Sequence, residues 1–135
     1  MIVHHWSKQS ELTETRPEFA GTGVRGAERD RAQVKGTYFG LSGYREPAVQ
    51  LNRIQYRAEL DAETVYNLEL DPLGFILTAQ QNAAKTGDNP RYEFEKLVLD
   101  SGFIGYYSQN VVKVFVPVRV QKERQNGLRD FHRAR

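Results

Sequence analysis

The chain contains no cysteine, one methionine and one tryptophan, and no apolar run approaching the roughly 18 residues that a helical membrane span requires. Without cysteine there is no disulfide framework, no thiol nucleophile and no thiolate metal site. The three histidines, His4, His5 and His132, lack metal-ligand spacing, so no metal is expected. Residues Met1-Ile2-Val3-His4-His5-Trp6 carry neither the charged start nor the apolar run of a signal peptide. The expectation is a cytoplasmic place of action with no membrane partner, and a toxin delivered into another cell would share it. The two signs of charge nearly balance, with 19 Lys and Arg against 17 Asp and Glu, for a formal net value of +2. A polyanionic partner is therefore not indicated by the total. The distribution is more informative: Arg119, Lys122, Arg124, Arg129, Arg133 and Arg135 face only Glu123 and Asp130. Such an ending can contact nucleic acid or an acidic protein face, or simply be solvated.

What is present suits a single globular domain. The 135 residues are 39% hydrophobic and 11% aromatic, enough for one core. We divide them into a domain over residues 1–120 and a basic tail over 121–135. Met1 to Trp6, Thr37 to Leu41 and Ile54 to Leu60 read as strands. In the third, Ile54, Tyr56, Ala58 and Leu60 share one face. Asp61 is placed to cap a short helix. Asp71-Pro72 predicts a longer helix to about Lys85, its inward stripe formed by Leu73, Ile76, Leu77, Gln80 and Ala84. Arg91 to Asp100 reads as a second helix with Phe94, Leu97 and Val98 inward and Gly102 closing it. Phe103 to Tyr107 and Val111 to Val120 read as strands, and Ala27 to Gln33 as a short exposed helix. The order predicts an α+β domain with helices beside an antiparallel sheet. Three glycines lie within Gly21-Thr22-Gly23-Val24-Arg25-Gly26. They lack the strand–turn–helix setting of a dinucleotide fingerprint and the Lys-Ser/Thr ending of a P-loop, and read as a loop over a cleft.

Three clusters carry chemistry: His5-Trp6-Ser7, Gly36-Thr37-Tyr38-Phe39, and Gly105-Tyr106 followed by Val111-Val112-Lys113-Val114-Phe115-Val116-Pro117. Taken singly, a histidine on a core strand is usually structural, and a glycine–aromatic pair is usually turn chemistry with packing. Their order resembles the ADP-ribosyltransferase superfamily, in the histidine–tyrosine branch that contains diphtheria toxin and the poly(ADP-ribose) polymerases. The segment from Gly21 to Glu28 is also similar to domains in large phage polyproteins.

The resemblance implies a split, bent antiparallel sheet with a few short helices, NAD as substrate, and transfer of ADP-ribose to a host protein or RNA acceptor. An inhibitor or immunity protein would be a further partner. His5, with Ser7 beside it, would anchor the nicotinamide ribose. Tyr38 and Tyr44 would hold the nicotinamide ring, with Trp6, Phe39 and Gly23 completing the NAD site. Glycosidic cleavage passes through an oxocarbenium-like state that a carboxylate stabilises. Counting back from Pro117, the family's glutamate position falls on Val111, beside Gln109 and Asn110. Three alternatives follow: an amide of Gln109 or Asn110 orients the ribose, an acid such as Glu28 serves instead, or transfer is lost. Readings from other classes are a metal-independent toxin-type ribonuclease using His, Tyr, Arg and Lys, and a non-catalytic inhibitor that docks on a host protein.

Overall fold

The computed structural model describes residues 1–17, 33–41 and 54–123. The Gly21 to Gly26 loop, the Ala27 helix up to residue 32, Tyr44, Glu28 and the tail from Arg124 onward lie outside the described residues. Seven strands form one mixed sheet: β1 (Ile2–Ser7), β2 (Thr37–Leu41), β3 (Ile54–Glu59), β4 (Val65–Asn67), β5 (Gly105–Ser108), β6 (Val111–Val114) and β7 (Gln121–Lys122). Their spatial order is β4-β5-β6-β2-β1-β3-β7. The two α-helices among the described residues, α1 (Phe75–Thr86) and α2 (Pro90–Asp100), lie between β4 and β5 in the chain. The domain is α+β, as the order of elements predicted.

The sheet departs from the expected antiparallel pattern at one pair, because β4 and β5 run parallel, Val65 opposite Gly105. A parallel pair requires a crossover, and the two helices supply it. Strand β4 itself was not foreseen. It follows a single 3-10 turn over Ala62–Thr64, which Asp61 caps by accepting from the Glu63 N–H at 3.0 Å. The final expected strand is shorter than Val111 to Val120: Pro117, with no N–H to offer a ladder, separates β6 from β7. Gln121 and Lys122, within the tail as read from charge, pair with β3. Gly105 is required where it stands, since a Cβ there would lie 2.1 Å from the Lys113 carbonyl oxygen.

Strand alternation puts two different cores on the two faces. On one, Val3, Phe39, Tyr56, Ala58, Val112 and Val114 pack together with Val118 and Val120. This face is strapped by residues 12–15, whose backbone bonds to 118–120 include Thr15 N–H to the Val118 carbonyl at 2.8 Å. The buried Tyr56 hydroxyl pins the strap, accepting from the Leu12 N–H at 3.1 Å and donating to the Gln9 carbonyl. The other face carries Tyr66, Tyr106 and Phe115 against Ala79, Phe94 and Val98 of the helices.

Helix α1 begins three residues later than Asp71-Pro72 suggested, and turns a different stripe inward. Asp71 occupies the left-handed region at φ 43°, and a turn closes first, Gly74 N–H to the Asp71 carbonyl at 3.0 Å. The carboxylate nevertheless serves the helix, accepting from Phe75 N–H at 2.8 Å and Ile76 N–H at 3.1 Å. Ala79 and Ala83 are buried, while Leu73, Ile76 and Leu77 are 58%, 42% and 62% exposed. Small alanines let α1 approach α2 closely, which the larger neighbouring stripe would prevent. Burial opposes ionisation of Asp71, but the Tyr66 hydroxyl and the Ile76 and Phe75 N–H groups outweigh it and hold the carboxyl below its ordinary value.

A folded-state value below the unfolded one means that stabilisation is present above the unfolded carboxylate range and is lost as pH falls through the folded value. Asp71→Ala is expected to cost roughly 1–2 kcal/mol near neutrality, the scale of a lost cap. Urea melts of wild type and variant should converge in acid; a pH-independent difference would contradict the capping role.

Candidate functional site

Two cross-strand rows on the helix-side face define the site. The registers align Arg57, His4, Gly40, Val111 and Ser108 across β3, β1, β2, β6 and β5. Two residues along the strands, Trp6 pairs with Gln55, and Tyr38, Lys113, Tyr106 and Tyr66 align across β2, β6, β5 and β4. Where α1 and α2 meet these rows there is a cavity of about 400 Å³. Tyr38, Val111, Lys113 and Tyr106 form its sheet wall, and Leu68, Ile76, Ala79, Gln80, Arg91 and Phe94 line the rest.

A buried ionic cluster backs the cavity. Glu95, fully buried on α2, accepts from Lys113 Nζ at 2.6 Å, the Tyr106 hydroxyl at 2.9 Å and the Val34 N–H at 2.9 Å. Arg91, one turn earlier, has Nε 3.9 Å from the same carboxylate. Lys113 Nζ also donates to Gln33 Oε1 at 2.8 Å and lies 5.5 Å from the Tyr38 ring centroid. Gly36 makes room for the lysine stem: a Cβ there would sit 2.8 Å from Lys113 Cε. The Tyr38 hydroxyl donates to Gln33 at 3.1 Å and accepts from Arg91 Nη2 at 2.8 Å. Burial, then the Glu95 charge, push the Tyr106 hydroxyl far above its ordinary value, keeping it a proton donor. Burial opposes the Arg91 charge, yet Tyr106, Tyr38 and Glu95 outweigh it and hold the guanidinium charged.

The residues singled out by sequence divide between the two faces. Tyr38, 45% exposed, and Trp6 lie on the helix side. His5 and Ser7 alternate with Val3 onto the strapped side, where the His5 ring meets Phe39 at 5.3 Å and its Nδ1 bonds the Tyr38 carbonyl at 2.9 Å. Phe39 is a core residue, 2% exposed. The imidazole of His5 and the ring of Tyr38 thus leave opposite faces of the sheet. His4 is the histidine on the Tyr38 face. Its Nδ1 contacts the Glu123 carboxylate, which Gln55 Nε2 also bonds at 2.9 Å. His4, Arg57 and Asn110 line a second hollow of about 1000 Å³.

Gln109 and Asn110 are exposed at the β5–β6 turn, Gln109 at φ 55°. The Gln109 N–H donates to the Glu69 carboxylate, and the Asn110 carbonyl accepts from Leu41 N–H at 2.8 Å. Val111 enters the cavity beside Tyr38. Gly23, Tyr44 and Glu28 lie outside the described residues. Sequence reasoning missed Glu95, Lys113, Arg91 and Glu69. Lys113 had a signal, a lone charge inside Val111 to Val116, and Arg91–Glu95 had helical i, i+4 spacing. Among the described residues no cluster could hold a metal ion, and no helix is long and apolar enough to cross a membrane. Compared with protein-family models, curated proteins and solved structures, the chain matches none.

Removing one partner of a buried ion pair leaves the other charge uncompensated. Lys113→Met is expected to cost about 3–5 kcal/mol on that ground. Adding Glu95→Gln should recover part of the loss, because the amide oxygen still accepts from the Val34 N–H while its NH2 can donate to the Tyr106 hydroxyl oxygen. A denaturation cycle in which the two changes simply add would contradict the pairing.

Proposed function

We propose that the chain is an ADP-ribosyltransferase-like protein that binds NAD on the helix-side face and passes ADP-ribose to a protein or nucleic-acid acceptor. The observation that carries this reading is the meeting of Tyr38 and Val111 in one cavity. These are the two positions that the resemblance assigns to the nicotinamide-stacking ring and the acid. Tyr38 offers a half-exposed aromatic face to a flat ring. His4, on the neighbouring row, takes the ribose role first assigned to His5, and Arg57 lies across from it toward the second hollow, where phosphates fit. In the reaction the ribose–nicotinamide bond breaks, nicotinamide leaves with the bonding electrons, and an acceptor nucleophile forms the new bond to the anomeric carbon and loses its proton.

Val111 cannot stabilise the positive charge that develops on the sugar. Glu69, held at the same end of the sheet by the Gln109 N–H, supplies the carboxylate in this reading. Its exposure weakens that contribution relative to an acid inside the cavity, so wild-type turnover should be slow.

Val111→Glu restores an acid at the wall, and the site tolerates it because Val111 is already 36% exposed. NAD hydrolysis is expected to rise by roughly 10²-fold or more, with little change in melting temperature. Glu69→Gln should lower wild-type transfer while NAD binding survives. A calorimetric titration of wild type with millimolar NAD that shows no binding would end this reading. NAD binding with no gain in Val111→Glu would leave a non-catalytic NAD-binding module.

A further inference from the structure

Two cationic side chains line the cavity, Lys113 and Arg91. Lys113 and Arg91 both approach Oε2 of Glu95, at 2.6 and 3.9 Å. Among the described residues of this wall, two cations therefore share one carboxylate. Lys113 is buried and closely matched, whereas the Arg91 side chain is 50% exposed at the cavity edge. Leu68, Ile76, Ala79 and Phe94 give the cavity an apolar lining, with Gln80 and Ser108 as its neutral polar side chains. A slot with apolar and aromatic walls and one guanidinium at its edge has a defined preference.

We propose that this cavity takes a flat aromatic ring bearing a carboxylate, in preference to the same ring bearing a carboxamide. The inference rests on the NAD reading and deepens it: the site that takes the nicotinamide ring takes the corresponding pyridine acid more tightly. A carboxylate can accept two parallel N–H groups from a guanidinium, in the fork geometry that arginine presents. A neutral amide offers one acceptor and turns an NH2 donor toward a cation. Arg91 holds the Tyr38 hydroxyl at 2.8 Å, so the ring that stacks and the group that pairs are fixed relative to each other. Arg91 is thus a specificity-determining residue.

The test is a chemical-shift titration of the full chain with nicotinic acid and nicotinamide, then with nicotinic acid adenine dinucleotide and NAD. In each pair the acid form should bind at least about tenfold more tightly, the scale of a charge-assisted hydrogen bond. Arg91→Met, which keeps the aliphatic stem, should reduce the preference to within about twofold, and Arg91→Lys should keep only part of it. Thermal melts accompany both variants, and Arg91→Lys carries the test should Arg91→Met fail to fold. Equal binding of acid and amide forms overturns the inference and leaves the NAD reading standing. A preference that survives in both variants overturns the assignment to Arg91. Acid preference in the free rings, with neither dinucleotide bound, supports the inference and ends the NAD reading. If none of the four binds, both fall.

Discussion

A carboxylate and an ammonium withdrawn from water must be paired, and here Glu95 and Lys113 meet at 2.6 Å with both side chains buried. That requirement fixes much of the domain. It ties α2 to the middle of β6 and sets the height of the helices over the sheet. Glu95 also takes the Val34 N–H and the Tyr106 hydroxyl on its two oxygens, so the chain entering β2 and the aromatic of β5 converge on one carboxylate. Gln33 joins Lys113 to Tyr38. The Tyr38 ring is consequently held by polar bonds at its hydroxyl while its face borders the cavity. Desolvating such a cluster is costly, and an apolar replacement could be as stable. What the cluster supplies is a fixed geometry beside a cavity.

The sheet's alternation then decides which chemistry can meet which. His4 and His5 are consecutive and differ in everything that matters: one shares a face with Tyr38, Trp6 and Arg57, the other packs on Phe39 on the opposite face. A motif of the form His-x-Ser does not say which face its histidine takes. The register does, because Val3 must enter the core and every second residue follows it. The same logic brings Val111 to Tyr38, since Gly40 and Val111 are partners, as are Tyr38 and Lys113.

Much of the fold was legible in the residues. β2 stands where its β-branched and aromatic pattern put it, Tyr56 and Ala58 point inward as their alternation required, and α2 ends at Asp100 as expected while starting one residue earlier, at Pro90 behind an Asn89 cap. Strand β4 was not legible because three residues leave no period to read. The stripe of α1 was misplaced because apolar size favours Ile76 and Leu77, whereas the close helix contact selects Ala79 and Ala83. The cavity was legible only at Tyr38 and Val111. Arg91, Glu95 and Lys113 are scattered over two elements, and only the docking of α2 on β6 makes them one group. Glu69 meets Gln109 through a turn that no local pattern announces.

The central claim is that a nicotinamide-type ring binds on the Tyr38 face of the sheet and not on the His5 face. Intermolecular nuclear Overhauser effects between the ring protons of bound NAD, or of its acid form, and the side chains of the protein test it most directly. Contacts to the Tyr38 ring and to the methyl groups of Val111, Ile76 and Ala79 are the expected result. Contacts to His5 and Phe39 in their place would contradict it.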